Sequence, residues 1–330
     1  MTDLDGFVDD LNHAIAVGGY ELLVPMEDVE LVALSAVRDR LTATFPYADH
    51  DVVMRAVDKL LMSRAAEDAS LAVPALEPAT ESAIANCPLP VFVKPRLHWS
   101  PGATRRRLHA RSLSHRGEVR SRAAEIRQAG GQPLLQELVV GRQLAVSMVI
   151  DGDGGVVGAA AQTTLAFSAD GPSSRAITID PEPDLVDSVV RLARALGWIG
   201  VLNVQFMQPP GGRPRLIDWN GRPYGSIALA IAAGADLPAL WADVATGTRR
   251  ATCSTARSGV RFQELESDLQ RARRERVGGL VPDVVRTLSF AVGAAHTVWS
   301  SRDPAPALGW VARLAVRRVG GGSGMALSRA

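Results

Sequence analysis

The residues in this sequence best suited to chemistry lie between Gly200 and Gly225, in GVLNVQFMQPPGGRPRLIDWNGRPYG. Two apolar runs flank Pro209-Pro210-Gly211-Gly212, so the stretch predicts two strands joined by a turn. Side chains alternate across a strand, which puts Asn203 and Gln205 on one face of the first strand and Asp218 and Asn220 on one face of the second. If the two faces coincide, one carboxylate and several amide oxygens converge on a rigid ladder. Hard oxygen donors of that kind suit Mg²⁺ held chiefly through phosphates and water, rather than zinc or iron. Arg222, just past the second strand, adds a fixed positive charge. The plainer reading is a hairpin whose polar residues face water, and for any two of these residues alone it is the stronger one. The combination favours a site.

Other elements must position that hairpin and complete its chemistry. Val91 to Pro95 reads as a strand ended by proline, and its Lys94 is costly to desolvate unless an anion meets it. Lys94 is therefore a candidate phosphate ligand, set against the commoner snorkelling edge lysine. Leu97 to Arg116 reads as a mobile polar loop with a basic run, Arg105-Arg106-Arg107; Trp99 is its only aromatic residue, so it lacks the stacking platform of a nucleic-acid surface. His98, His109 and His115 in this loop do not have metal-motif spacing.

Helical spacing predicts Asp28 to Leu41, after a short strand Glu21 to Val24, and then Asp49 to Ala69 with Asp49 as N-cap. A Pro- and Ala-rich linker covers Leu71 to Pro90. A helix follows at Glu118 to Gln128, and Leu134 to Val140, Leu144 to Ile150 and Val156 to Gln162 read as strands of an antiparallel meander. Asp184 to Leu196 is an amphipathic helix closed by Gly197. Two short helices, Ser226 to Ala233 and Pro238 to Thr246, follow the hairpin. The tail from Arg250 reads as mostly helical and arginine-rich, ending in a disordered Gly/Ser stretch. Apolar residues between Phe290 and Trp310 allow docking on the core or a homodimer.

Composition sets the frame. A chain of 330 residues supports a large core and two or three domains or subdomains. With 47% hydrophobic residues, 22% charged residues and a formal net charge of +1, it reads as an ordinary globular protein whose overall charge names no partner. Cys87 and Cys253 lie far apart, outside any CxxC or Cys/His cluster, which argues against a structural zinc or a disulfide scaffold. No run has the length of a membrane span and the acidic start lacks an apolar core, so a cytoplasmic location without membrane partners is expected. No Ser/His/Asp or Cys/His arrangement suggests a protein nucleophile.

Taken in order, the strand Val91 to Pro95, the segment Gln136-Glu137-Leu138-Val139-Val140-Gly141, Asn203-Val204-Gln205-Phe206 and Ile217-Asp218-Trp219-Asn220-Gly221-Arg222 resemble the ATP-grasp superfamily. The flavour is that of its carbamoyl-phosphate-synthetase-like, carboxylate-amine ligase branch. The resemblance implies an α+β fold of two subdomains gripping ATP over residues 47–250, after a partial α/β pre-ATP-grasp segment at 1–46 and before a helical extension at 251–330. It assigns Lys59 and Lys94 to the nucleotide phosphates, and Gln136, Glu137, Leu138 and Val139 to the strand at the adenine edge. Gln143 stands where the family often has an acid that contacts ribose. Gln205, Asp218 and Asn220 would carry Mg²⁺, and Arg222 would stabilise the transferring phosphoryl group. The activity implied is ATP-dependent joining of a small-molecule carboxylate to an amine through an acyl phosphate, the alternative being a non-catalytic nucleotide- or partner-binding protein on the same fold. Besides Gln143, three departures are visible: Asp218 replaces the usual glutamate, Gly221 replaces a proline and loosens the backbone there, and Ser100-Pro101-Gly102-Ala103 replaces a Gly/Ser-rich phosphate loop. Of the small N-terminal domain usual in the family, the sequence shows only its last strand and helix, Glu21 to Leu41.

Overall fold

The computed structural model describes residues 4–98, 109–168, 171–248, 253–300 and 303–310. The loop tetrapeptide Ser100 to Ala103, the basic run Arg105 to Arg107 and the Gly/Ser end lie outside the described residues.

The chain begins with two helices, α1 (Leu4–Gly18) and α2 (Asp28–Ala36). The first is unexpected from an acidic start, and it buries only Val8 and Ile15. The second is entered through a reciprocal cap in which the Glu30 carboxylate accepts from the backbone N–H groups of Met26 (2.7 Å) and Glu27 (3.1 Å). It is shorter than its spacing suggests, giving way at Val37 to a 3₁₀ turn, Arg38–Arg40. The expected strand Glu21 to Val24 is reduced to a single parallel bridge between Leu22 and Thr44.

The one helix expected over Asp49 to Ala69 is two, α3 (His50–Val57) and α4 (Lys59–Asp68). Asp58 makes the break: its backbone is extended and its carboxylate accepts from Leu60 N (2.9 Å) and Leu61 N (3.2 Å), so an interior acid acts as a fresh N-cap. Lys59 becomes the first residue of α4.

Two sheets follow. The smaller is antiparallel and built from β1 (Leu76–Pro78), β2 (Val91–Pro95), β3 (Arg111–Leu113) and β4 (Pro133–Glu137) in the order β1-β4-β2-β3. Helices α5 (Glu81–Asn86) and α6 (Arg116–Gln128) cover it, burying Ile84, Val119 and Ile126 against Val91, Val93 and Leu135. The stretch read as a linker thus contains β1 and α5. The strand expected to reach Val140 stops at Glu137.

The larger sheet holds β5 (Arg142–Ile150), β6 (Val156–Phe167), β7 (Ser173–Thr178), β8 (Gly200–Gln208) and β9 (Arg215–Asn220), each antiparallel to its neighbour in the order β7-β6-β5-β8-β9. Helix α7 (Pro183–Leu196) packs Leu185, Val189, Leu192 and Leu196 into the core, and Gly197, at φ +74, ends it as only glycine readily does. Leu31 and Leu34 of α2, Val53 of α3 and Met62 of α4 join the same core. After the short helices α8 (Ile227–Ala232) and α9 (Leu237–Ala245), the chain returns to the sheet. There β10 (Ser254–Thr255) pairs with β6, β11 (Arg261–Gln263) with β7, and β12 (Ala295–His296) with β11. Helices α10 (Leu265–Glu275) and α11 (Leu280–Ala291) lie between the last two. The tail is therefore not purely helical. Strands of two or three residues carry no alternation to read, and it is their pairing with β6, β7 and β11 that defines them.

Candidate active site

The register of β8 on β9 decides whether the polar faces coincide. Gln205 stands opposite Asp218 and Asn203 opposite Asn220, with an irregularity just beyond, between Gln205 and Phe206. Cross-strand partners share a face, so the four side chains do converge. On the other side of β8, Ser147 stands opposite Asn203.

The amides form a connected relay. Thr164 Oγ1 donates to Gln143 Oε1 (2.7 Å), Gln143 Nε2 to Gln205 Oε1 (3.1 Å), and Gln205 Nε2 to Asn203 Oδ1 (3.4 Å). Asn220 Nδ2 also reaches Asn203 Oδ1 (3.4 Å), while Asn203 Nδ2 donates to Ser147 Oγ (2.8 Å). Asn203 and Asn220 are buried, so these bonds fix amide orientations that water would otherwise blur. The Asp218 carboxylate accepts no hydrogen bond among the described residues.

Asp218 borders two cavities. A narrow one is lined by Lys59, Lys94, Gln136, His98 and Asp28 together with Asp218. A wider cleft of about 540 Å³ is lined by Gln143, Gln205, Asp218, Asn220, Arg222 and Tyr224. In the narrow cavity, Lys94 Nζ donates to the Ile217 carbonyl (3.3 Å). Burial lowers the Lys94 ammonium to a pKa of about 8, with the Lys59 charge adding to the fall and the Asp218 charge opposing it. Among the described residues Lys94 hydrogen-bonds to that carbonyl alone and has the Asp218 charge nearby, so its remaining N–H donors are open to an anion entering the cavity.

Three residues of the expected adenine strand lie elsewhere. Glu137 pairs with Arg215 (2.7 Å) and accepts from Ala75 N (3.1 Å), clasping the small sheet to the hairpin, and neither Glu137, Leu138 nor Val139 lines these two cavities.

Arg222 is held from an unexpected direction. Its Nε donates to Asp28 Oδ1 (2.7 Å), Nη1 to the Pro223 carbonyl (3.2 Å) and Nη2 to Asn220 Oδ1 (3.4 Å). The second Asp28 oxygen pairs with His98 Nδ1. Burial pushes the Asp28 carboxyl up, but the His98 hydrogen bond and the Arg222 charge outweigh it and hold the group well below the usual carboxylate range. Neither Asp28 nor His98 stands out in the sequence, because an aspartate opening a helix reads as local charge chemistry and a histidine in a basic loop reads as solvated.

Gly221 also has a structural cause. A Cβ there would lie 2.3 Å from Cη2 of the buried Trp198, so the glycine lets the hairpin end close over an indole rather than loosening the backbone.

A sequence-family profile described as ATP-grasp in the biosynthetic pathway with Ter operon matches residues 132–268. Biotin carboxylase from Campylobacter jejuni, solved as a β-γ-ATP complex, superposes with a TM-score of 0.63 at 13% identity, over 77% of this chain and 60% of that one. The fold is ATP-grasp. The ADP complex of purK, an N5-carboxyaminoimidazole ribonucleotide synthetase, shares it at a TM-score of 0.62 and 13% identity, over 84% of this chain and 72% of that one. L-amino acid ligase from Bacillus licheniformis gives 0.57 and 14%, over 74% and 60%. No curated protein sequence matches. The chain spans about 60% of the length of the first solved structures it resembles.

On this ATP-grasp frame the donor set can be tested against Mg²⁺. Among the described residues no group of three His, Cys, Asp or Glu side chains could form a metal cage. Asp218, with the amide oxygens of Asn220 and Gln205 on the same face, instead suits a hard cation that arrives with phosphates and keeps much of its water.

Proposed function

We propose that this ATP-grasp chain is an ATP-dependent ligase that joins a carboxylate to an amine through an acyl phosphate. One observation carries the reading: the β8–β9 register sets Gln205, Asp218 and Asn220 on one face, with Arg222 beside them and Lys94 buried across Asp218. Lys59 and Lys94 would hold the nucleotide phosphates, their charge offsetting the repulsion that a carboxylate nucleophile meets as it approaches a polyanion. Asp218, Asn220 and Gln205 would hold Mg²⁺, which when bound with ATP neutralises the phosphate oxygens. Arg222 would face charge building on the transferred group. No residue need form a covalent bond, because the carboxylate attacks the phosphoryl group, ADP leaves, and the amine then displaces phosphate from the acyl carbon.

The test is ADP release from Mg-ATP across a library of carboxylates and amines. Bound Mg-ATP with no substrate-dependent release from any pair would sink the ligase reading. A non-catalytic nucleotide- or partner-binding role is the second reading, favoured because the Gln205 and Asn220 oxygens already accept from Gln143 and Arg222. Under it, Asp218→Ala leaves partner binding intact. Two lesser proposals accompany the first. A cytoplasmic location is supported by the absence, among the described residues, of any helix long and apolar enough to cross a membrane. A homodimer is supported by the exposed Val281, Val285 and Leu288 of α11, and sedimentation decides it.

A further inference from the structure

We infer that Asp28 is a positioning residue that fixes the Arg222 guanidinium, and through His98 the chain just past β2, on the two oxygens of one carboxylate. Its catalytic consequence rests on the ligase reading above. Asp28 lies 194 residues from Arg222 and 70 from His98, outside the stretch that the family profile matches.

The carboxylate is itself well anchored. It opens α2, where the helix N-terminus favours negative charge, and α2 is pinned by its cap and by Leu31 and Leu34 in the main core. Asp28 and Arg222 are both buried, so neither partner has water as an easy alternative. A guanidinium is a rigid planar fork with five N–H donors. Three of them are engaged, by Asp28, Pro223 and Asn220, which fixes the plane and leaves two N–H groups for a ligand in the cleft. Without Asp28, the Nε–H loses its only partner among the described residues, and the fork is free to rotate about its last side-chain bonds. His98 lies four residues past Lys94. The same carboxylate therefore ties the hairpin arginine to the segment that carries the buried lysine.

A purely structural ion pair would affect stability but would not discriminate between nucleotide states. The experiment uses the full chain and reads both the contact and its consequence. In the ligand-free protein the Arg222 side-chain Nε–H resonance should exchange slowly, and Asp28→Asn, which keeps the shape and removes the charge, should shift it and speed its exchange. Asp28→Glu should restore part of the protection. Retention of Mg-ADP with aluminium fluoride, a mimic of the transferring phosphoryl group, should fall by about 100-fold in Asp28→Asn, while Mg-ATP retention stays within a few-fold. Rapid Nε–H exchange in the wild type overturns the inference even if no variant folds. So does an unchanged resonance in Asp28→Asn, or an equal loss of both nucleotide states. Wild-type protein that retains no nucleotide sinks the ligase reading instead, and the resonance then decides the positioning by itself.

Discussion

Two buried arginines, Arg222 at the hairpin and Arg271 on α10, sit in ionic networks of similar make and opposite completeness. Arg271 spends every donor: Nε on Asp268 (2.7 Å), Nη1 on Glu275 (3.2 Å) and Asp283 (3.3 Å), Nη2 on Asp283 (3.1 Å) and Thr287 (3.3 Å). Asp268 is fully buried and also accepts from Arg175 and Gln263, which ties α10 to β7 and β11. Arg222 makes three bonds and borders a cleft. Burial of charge alone therefore does not mark a functional site. The informative quantity is what remains unspent once the internal partners are counted, and where it points.

The sharpest test of that contrast is Asp268→Ala, which leaves Arg271 and Arg175 buried without their shared carboxylate. It should cost about 3–5 kcal/mol in a denaturant titration. By the same logic Asp218→Ala should reduce turnover by roughly 100- to 1,000-fold, as loss of a preorganised electrostatic group does, with a much smaller shift in the unfolding midpoint. If the two variants exchange effects, the distinction fails. Gly221→Ala should lie between them, costing about 1–3 kcal/mol because the added methyl meets Trp198, a loss measurable by thermal melting. The smallest signal is a slope. The Lys94 pKa is lowered from 10.5 to about 8 on folding, so the unfolded chain binds more protons between those values. Stability should rise as pH goes from about 8 to 10.5, and Lys94→Met should flatten that rise.

The same division separates what was legible in the sequence from what was not. Asn203, Gln205, Asp218 and Asn220 could be read because strand alternation and a Pro/Gly turn are local signals, and the observed register brings those faces together. Lys94 was legible for a similar reason, since a lysine closing an apolar strand violates the local pattern. Asp28 was not, because its meaning lies in Arg222 and His98, and no spacing rule connects them. Asp58 shows a subtler failure. Helical periodicity ran through it undisturbed, and only the carboxylate's preference for the next turn's N–H groups, together with its pairing to Arg96 (2.7 Å), split the helix. The short strands β10, β11 and β12 were illegible because their conformation is imposed by neighbours rather than encoded in two or three residues.

The pairing of β11 with β7 has a practical side. Ala176 and Ile177 sit on a strand whose outer backbone groups are satisfied by Phe262 and Arg261. A shortened chain ending after α9 would keep every residue proposed here to bind nucleotide, yet it would present β7 as an open edge, a template for pairing with another molecule. Such a fragment should clump in solution for a reason unrelated to catalysis, and it would also lose Phe262, Glu264 and Ser267 from the wall of the wide cleft.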